Sequence, residues 1–388
     1  MEQCKICGEF SCEVHKTTFK TKFTKSFEGS SPPEVFVGRW NYPNVYTGML
    51  APEELGDTLH FSHPELWKSK DYSIEKISNL RNQLIYSRTQ THIKLSPSKL
   101  MNTIQELAMS YKSISSQVEL QKPVATEVRQ DPQVAMITRS APVESIRLQE
   151  NPLIDKKVDY LVNDTDVKSA IAIQELARSS TSTSTIIKLL SIGLLGKKSA
   201  RKLVPTRWAV TATDDTLSKS KLPKIKSFKD LQEIRLFHAQ YLGNHYEFLL
   251  LPGPYSFEVI EISTSNTSSW HDYESNFPRK YYADSVTGAY YANRLALTEY
   301  LEKIQRQCQC LVLREIRPEY NVPCGVGILR ETSRAALESK PEVFQNMQEA
   351  FSSIQSRLHL SIGQFIEKSW LIKNYGKQKR IFDFFSQN

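Results

Sequence analysis

The stretch LLGKKSARKLVPTRWAVTATDDTLSK, residues 194–219, decides how the chain divides. Lys197, Lys198, Arg201 and Lys202 form a basic turn ahead of Pro205. Trp208, Val210 and Ala212 then recur every second residue, the period of a half-buried strand, and Asp214 and Asp215 stand at its end. Read this way, a second half of the chain begins at about Pro205. Upstream, VFVGRWNYPNVYTGML (35–50) is rich in β-branched and aromatic residues punctuated by Gly38, Pro43 and Gly48, the pattern of short strands and tight turns. IEKISNLRNQLIYSR (74–88) carries Ile74, Ile77, Leu80, Leu84 and Ile85 at helical spacing, and a serine cap opens the amphipathic run 96–110. Residues 121–152 show no sustained helical period and read as strands and loops. Helices are predicted over 164–180, behind an acidic cap, and 182–193, behind Ser and Thr.

Downstream, HYEFLLLPG (245–253) and SFEVIEIS (256–263) read as strands, alternating with helices at about 228–240, 289–307 and 342–367. The expectation is an α+β fold, a mixed α/β body, with a small N-terminal zinc-binding head and a flexible C-terminal tail. Its parts are a head at 1–17, a linker at 18–32, α+β halves at 33–205 and 206–370, and a tail at 371–388. No internal repeat is visible.

The 388 residues, 40% of them hydrophobic, suffice for a sizeable core. The longest apolar run, Ile186 to Leu195, is broken by Lys188, Ser191 and Gly193 and falls far short of the roughly 20 residues of a bilayer span. The first residues, MEQCKICGEF, lack the basic start and apolar stretch of a secretion signal, so an intracellular, cytoplasmic protein without membrane contact is expected. A net charge of +8 and a pI near 9.0 make a polyanion a plausible partner without naming one.

Three of the six cysteines crowd into CKICGEFSCEVH, residues 4–15. Cys4 and Cys7 make one two-residue knuckle, and Cys12 with His15 makes a second. Thiolates and imidazole suit a tetrahedral Zn²⁺, and four protein ligands would saturate it, so the metal would be structural and not hydrolytic. At the other end, Gln378, Ile381, Phe384 and Phe385 fit Q-x-x-h-x-x-a-a, with h aliphatic and a aromatic. One 3₁₀ turn puts Ile381 and Phe384 on one side with Phe385 beside them. The tail thereby resembles the PCNA-interacting peptide by which repair proteins attach to the sliding clamp.

Arg39, Trp40 and Tyr42, the Lys197 to Lys202 turn, and Arg207 with Trp208 set cations beside stacking rings, as single-stranded or distorted nucleic acid requires. Asp214 and Asp215 could hold Mg²⁺ for phosphodiester cleavage with Glu258, Glu261 or Asp284, although D-D-T is commonly a turn or cap. YNVPCGVGILRE (320–331), with Gly325 and Gly327, offers close backbone approach or a bend leading into a strand. P-loop, dinucleotide and Gly-x-Ser-x-Gly signatures are absent.

Taken in order, FVGRWNYPNVYTGMLAPEE, DTDVKSAIAIQEL, LLSIGLLGKKSARKLVPTRWAVTATDDTLSK, YNVPCGVGILRE and the clamp-binding tail resemble the Nre family of archaeal DNA-repair proteins, of the NreA type. The resemblance implies a role in DNA-damage repair coupled to PCNA through the tail, with nucleoid association when bound to the clamp. It also implies that the cysteine cluster is a zinc finger, with His15 where a fourth cysteine would be expected; it supplies no catalytic residue. The favoured expectation is a repair factor binding DNA and the clamp. A metal-dependent structure-specific nuclease using Asp214 or Asp215 is the enzymatic alternative, and RNA remains a third possible partner.

Overall fold

A computed structural model describes residues 25–94, 98–129, 131, 133–277 and 279–377. The cysteine knuckles at 4–15 and the tail motif at 378–385 lie outside the described residues. The chain packs as two units, Met1–Ser220 with Asn321–Glu331, and Lys221–Tyr320 with Thr332–Asn388. The first division thus falls at Ser220, not at Pro205, and eleven residues far along the chain belong to the first unit.

The first unit contains β1 (Ser26–Ser31), β2 (Glu34–Val37), β3 (Asn44–Ala51), α1 (Pro64–Ser69), α2 (Ile74–Gln83), β4 (Ile85–His92) and α3 (Lys99–Met109). β5 (Ile114–Leu120), β6 (Ala125–Arg129), β7 (Ile137–Leu148), α4 (Lys156–Asn163), α5 (Ser169–Arg178) and α6 (Thr183–Ser191) follow, and α7 (Thr206–Ile225) leads out of it. The strands form one sheet in the order β1-β5-β7-β4-β3-β2, with β6 pairing the first part of β7. Leu50, Phe61, Leu84, Tyr86 and Ile137 make a core cluster, with Phe36 and Leu80 against it. β3 can lie close to β4 because position 48 is glycine: a Cβ there would stand 2.0 Å from the Ser87 carbonyl oxygen.

The structure corrects three expectations. The linker expected at 18–32 contains β1, whose residues pair with β5 from Ser26↔Glu119 to Ser31↔Ile114. The helix expected over 74–88 stops at Gln83, and Ile85 opens a strand that pairs with β3. The strand expected at Trp208–Ala212 is the start of the 20-residue helix α7. Its alternating residues matched period two, but burial recurs at Val210, Asp214, Leu217, Ser218, Leu222 and Ile225, which is helical spacing. Pro205 stands just before the first turn and lends its carbonyl to the amides of Trp208 and Ala209.

The second unit holds β8 (Ile234–Tyr241), β9 (Asn244–Leu251), β10 (Ser256–Ser263), β11 (Ser269–Glu274), α8 (Gly288–Ile304) and β12 (Gln309–Ile316). α9 (Val326–Glu338) enters it from the returning segment, followed by β13 (Glu342–Phe344), α10 (Met347–Gln355), α11 (Ile362–Lys368) and α12 (Trp370–Asn374). Its sheet runs β11-β10-β12-β9-β8-β13, antiparallel except for the parallel pair β10 and β12. Ile234, Leu236, Leu249, Leu251, Ile260, Ile262, Leu311 and Leu313 pack on Ala350, Ile354, Leu358, Phe365 and Leu371 of the C-terminal helices. On α8, Tyr290 and Tyr300 meet Phe257 and Phe237, covering the opposite face. Both sides are covered, so β9 and β10 are buried at every residue.

The helix expected at 228–240 is largely strand β8, joined to β9 by Leu242 and Gly243 at φ 49° and 74°. Positive φ at both central residues is the mark of a two-residue hairpin. The helix expected at 342–367 is a short strand followed by two helices, and the tail expected from 371 begins later, since Leu371 is core and Ile372 and Tyr375 pack on it. Among the described residues no helix is long and apolar enough to cross a membrane.

Candidate functional site

The β2–β3 hairpin carries Arg39, Trp40 and Tyr42 at its tip, and the first turn of α7 carries Arg207 and Trp208. The Thr206 hydroxyl ties the two, accepting the amide of Val37 at 2.9 Å. Asp131 then collects both guanidiniums: Arg39 donates Nε to Oδ2 at 3.2 Å, and Arg207 donates Nη1 to Oδ1 at 3.0 Å. Two cations on one carboxylate leave a surplus positive charge. Arg39 also lies 4.2 Å over the Trp40 ring, and Tyr42 and Trp208 are 5.2 Å apart. Trp40, Tyr42 and Trp208 stay 60, 44 and 44% exposed, unusual for large rings. Arg39, Trp40, Asp131 and Arg207 border a pocket of about 240 Å³ with an apolar floor of Phe36, Tyr86, Val134 and Ile137.

Of the other basic candidates, Lys197, Lys198 and Lys202 are exposed. Arg201 is committed to the fold: its guanidinium donates to the carbonyls of Gly196, Val162 and Asp164, each at 2.8 Å. It thereby satisfies carbonyls at the end of α4, which ends at Asn163.

Asp214 and Asp215 sit on α7, not at a strand end. Asp214 is fully buried and holds Arg330 bidentately, with Nε to Oδ1 at 2.8 Å and Nη2 to Oδ2 at 2.7 Å. Asp215 pairs with the exposed Lys219 at 2.8 Å. Two of the three suggested further ligands are also engaged, Glu258 accepting from His271 and the Ser369–Leu371 segment and Glu261 from Arg314, while Asp284 is exposed. Among the described residues no group of three or more His, Cys, Asp or Glu could hold a metal ion.

A second cleft adjoins the first, sharing Phe36, Val134 and Ala135 as a wall. It measures about 90 Å³, and Glu34, Arg81, Gln133, Ser184, Lys188, Cys324 and Arg330 line it. Lys188 projects from α6 and is 5% exposed, yet its Nζ has no hydrogen bond or ion pair among the described residues. Burial lowers its pKa, against the attraction of Glu34 and Glu65. Burial raises that of Glu34, whose carboxylate likewise has no partner among the described residues, while Arg81 and Lys188 oppose the rise. Gln133, also 5% exposed, leaves both ends of its amide unpaired there.

Around this group the charges are fixed. Arg81 donates to the Met136 and Phe61 carbonyls and the Ser62 hydroxyl. Glu65 accepts the Ser184 hydroxyl at 2.8 Å; burial would raise its pKa, but its own amide, His63 and Ser184 outweigh that and lower it. His63 donates Nδ1–H to the Leu59 carbonyl at 2.9 Å. Burial, then the Lys188 charge, pushes the ring down to about 4. Burial pushes the Cys324 thiol up to about 12, so it is no ready nucleophile.

The YNVPCGVGILRE stretch supplies the close backbone approach considered for it, and opens a helix where the bend was expected to lead into a strand. Gly325, at φ 81°, would place a Cβ 2.7 Å from the Ala135 nitrogen, and Gly327 one 2.6 Å from Pro64 Cγ.

Two family models match, archaeal Nre N-terminal over residues 1–271 and archaeal Nre C-terminal over 274–384. The chain belongs to the archaeal Nre family. It is 35% identical over 365 residues to DNA repair protein NreB of Archaeoglobus fulgidus, covering 92% of this chain and 91% of that protein. It is 33% identical over 372 residues to DNA repair protein NreA of the same organism, covering 92% and 93%. DNA repair protein NreA of Haloferax volcanii is 30% identical over 394 residues, covering 95% and 93%. No solved structure matches.

The second cleft is what the sequence reading missed. Its one signal was Lys188 inside IIKLLSI, an ionisable residue where an apolar helix face has no need of one.

Proposed function

We propose that this protein is a DNA-repair factor that holds DNA with the hairpin tip and α7 turn of its first unit, carries a structural zinc at its N-terminal knuckles, and docks on the sliding clamp through its C-terminal tail. Repair is supported by the relatives, each a DNA repair protein by name and each alike over more than nine-tenths of this chain. The observation that carries DNA contact is the convergence of two Arg-Trp dipeptides far apart in sequence, Arg39-Trp40 and Arg207-Trp208, on Asp131. Guanidiniums answer phosphates, and exposed rings stack on unpaired bases. Three thiolates and an imidazole, Cys4, Cys7, Cys12 and His15, form a zinc donor set. Gln378, Ile381, Phe384 and Phe385 would make the clamp contact, and a tether joining two weak contacts raises the local concentration of each site on DNA.

Fluorescence anisotropy with single-stranded oligonucleotides at several salt concentrations tests the DNA contact. Arg39→Gln with Arg207→Gln should flatten the slope of log affinity against log salt by about one unit for each phosphate the variant no longer neutralises. Trp40→Ala should weaken binding by about 1–3 kcal/mol at every salt concentration. Unchanged binding in both variants would remove this surface from the account. For the tail, calorimetric titration of peptide 374–388 into the clamp should give saturable binding, abolished by Phe384→Ala with Phe385→Ala.

A further inference from the structure

The second cleft joins features that a purely structural role does not need. A protein buries an amine without a partner at a cost, and here a carboxylate and an amide that also lack partners among the described residues line the same small space. No apolar residue of the helix face would require this, since Ile186, Ile187, Leu189 and Leu190 around Lys188 already supply packing. Burial shifts the Lys188 amine toward its neutral form, the form that is a nucleophile toward carbonyl carbon, and a carboxylate lining the same cleft can move the protons such an attack demands.

Resting on the repair reading above, we infer that the cleft is an imine-forming active site whose substrate is an aldehyde in damaged DNA, the ring-opened deoxyribose of an abasic site. The shared wall of Phe36, Val134 and Ala135 sets the cleft beside the Arg39 and Arg207 pocket, where the flanking phosphates would be held. Lys188 Nζ adds to C1′, forming the N–C bond and a carbinolamine. The carbinolamine hydroxyl leaves as water, taking up a proton, and a protonated imine remains. Glu34 then takes a proton from C2′; that electron pair becomes the C2′–C3′ double bond as the C3′–O bond breaks, releasing the 3′ fragment with its 5′ phosphate. Water hydrolyses the imine and restores the amine, so no oxidant or reductant is consumed. Gln133 is placed to hydrogen-bond the sugar oxygens.

The test uses the full-length protein and a labelled oligonucleotide whose single uracil has been excised to leave an abasic site. Sodium borohydride added during the reaction reduces the imine to a stable amine, and wild type should give a covalent protein–DNA adduct that peptide mapping assigns to Lys188. Lys188→Met should lose the adduct at least about 100-fold, while its DNA binding by anisotropy and its unfolding transition show that it is folded. Glu34→Gln, with the amine intact, should keep the adduct but slow strand cleavage by about 10²–10⁴-fold. Abasic DNA that binds without being trapped, or an adduct that persists in Lys188→Met or maps to another lysine, would overturn the inference and leave the DNA-binding reading standing. Failure of wild type to bind the DNA at all would overturn both.

Discussion

Asp214→Asn separates a structural carboxylate from a metal ligand. In the native protein both oxygens of Asp214 accept charge-assisted hydrogen bonds from Arg330, at 2.8 and 2.7 Å, with the two side chains 0 and 1% exposed. At about 4 Å between charge centres and an effective dielectric near 20, the attraction is about 4 kcal/mol. The amide keeps the shape of the side chain but removes the charge that a buried guanidinium grips with two hydrogen bonds; such changes cost about 3–5 kcal/mol. For a unit of this size that lowers the melting temperature by roughly 6–20 °C. Asp215→Asn is the comparison, since the i,i+4 pair with Lys219 that it breaks is exposed and worth about 0.3–0.5 kcal/mol. Removing both buried charges, with Asp214→Leu and Arg330→Met, should recover most of the stability. Urea and thermal unfolding followed by circular dichroism read all four proteins. An Asp214→Asn protein within about 1 kcal/mol of wild type would show that the pair with Arg330 does not hold the fold and would return Asp214 to the candidate metal ligands.

Lys188→Met removes a buried amine that has no partner among the described residues, in exchange for a side chain of similar length, and should raise stability by about 1–2 kcal/mol, seen as a higher urea midpoint at unchanged slope; a lower midpoint would show that the amine has a structural partner. His63 is pushed down to about 4 in the folded protein, chiefly by burial, against about 6.5 unfolded. Its contribution is therefore complete above about pH 6.5 and lost as pH falls through 4, an effect of about 1–2 kcal/mol after allowing for its partial exposure. His63→Gln should flatten the acid limb of stability against pH over that window, and an unaltered limb would contradict the assignment. Gly325→Ala should cost about 1–3 kcal/mol by unfolding, because the left-handed backbone and the Ala135 nitrogen at 2.7 Å both oppose a methyl group.

The sequence made the class of the fold legible, and many of its elements, because Ser73, Ser98 and Ser182 cap their helices through side-chain oxygens that sequence can show. It misread α7 because Trp208, Val210 and Ala212 span little more than one helical turn, and apolar residues fit either period over so short a stretch. It misread β8 because Leu-Gly is a weak hairpin signal beside Asn-Gly or Asp-Gly. For the candidate site, Arg39, Trp40, Arg207 and Trp208 stood out as basic and aromatic. What joins them does not: Asp131 lies 92 residues from Arg39 and 76 from Arg207. Glu34, Gln133 and Lys188 were hidden for the same reason, since a missing partner is a property of space and not of spacing.

The return of Asn321–Glu331 to the first unit bears on the order in which the protein is made. A chain emerging from the ribosome presents Asp214, Lys188 and Glu34 long before Arg330, Cys324 and Gly325, with the whole β8–β12 region synthesised in between. Until then Asp214 has no Arg330 to pair with and the second cleft lacks one wall, so completion of the first unit waits on about a quarter of the chain, Lys221–Tyr320. Long-range closures of this kind slow folding and expose intermediates. A fragment cut at the junction of the two family matches, near residue 272, would end before that wall is translated and would carry Asp214 without its guanidinium, so the natural seam of the sequence is a poor place to divide the molecule.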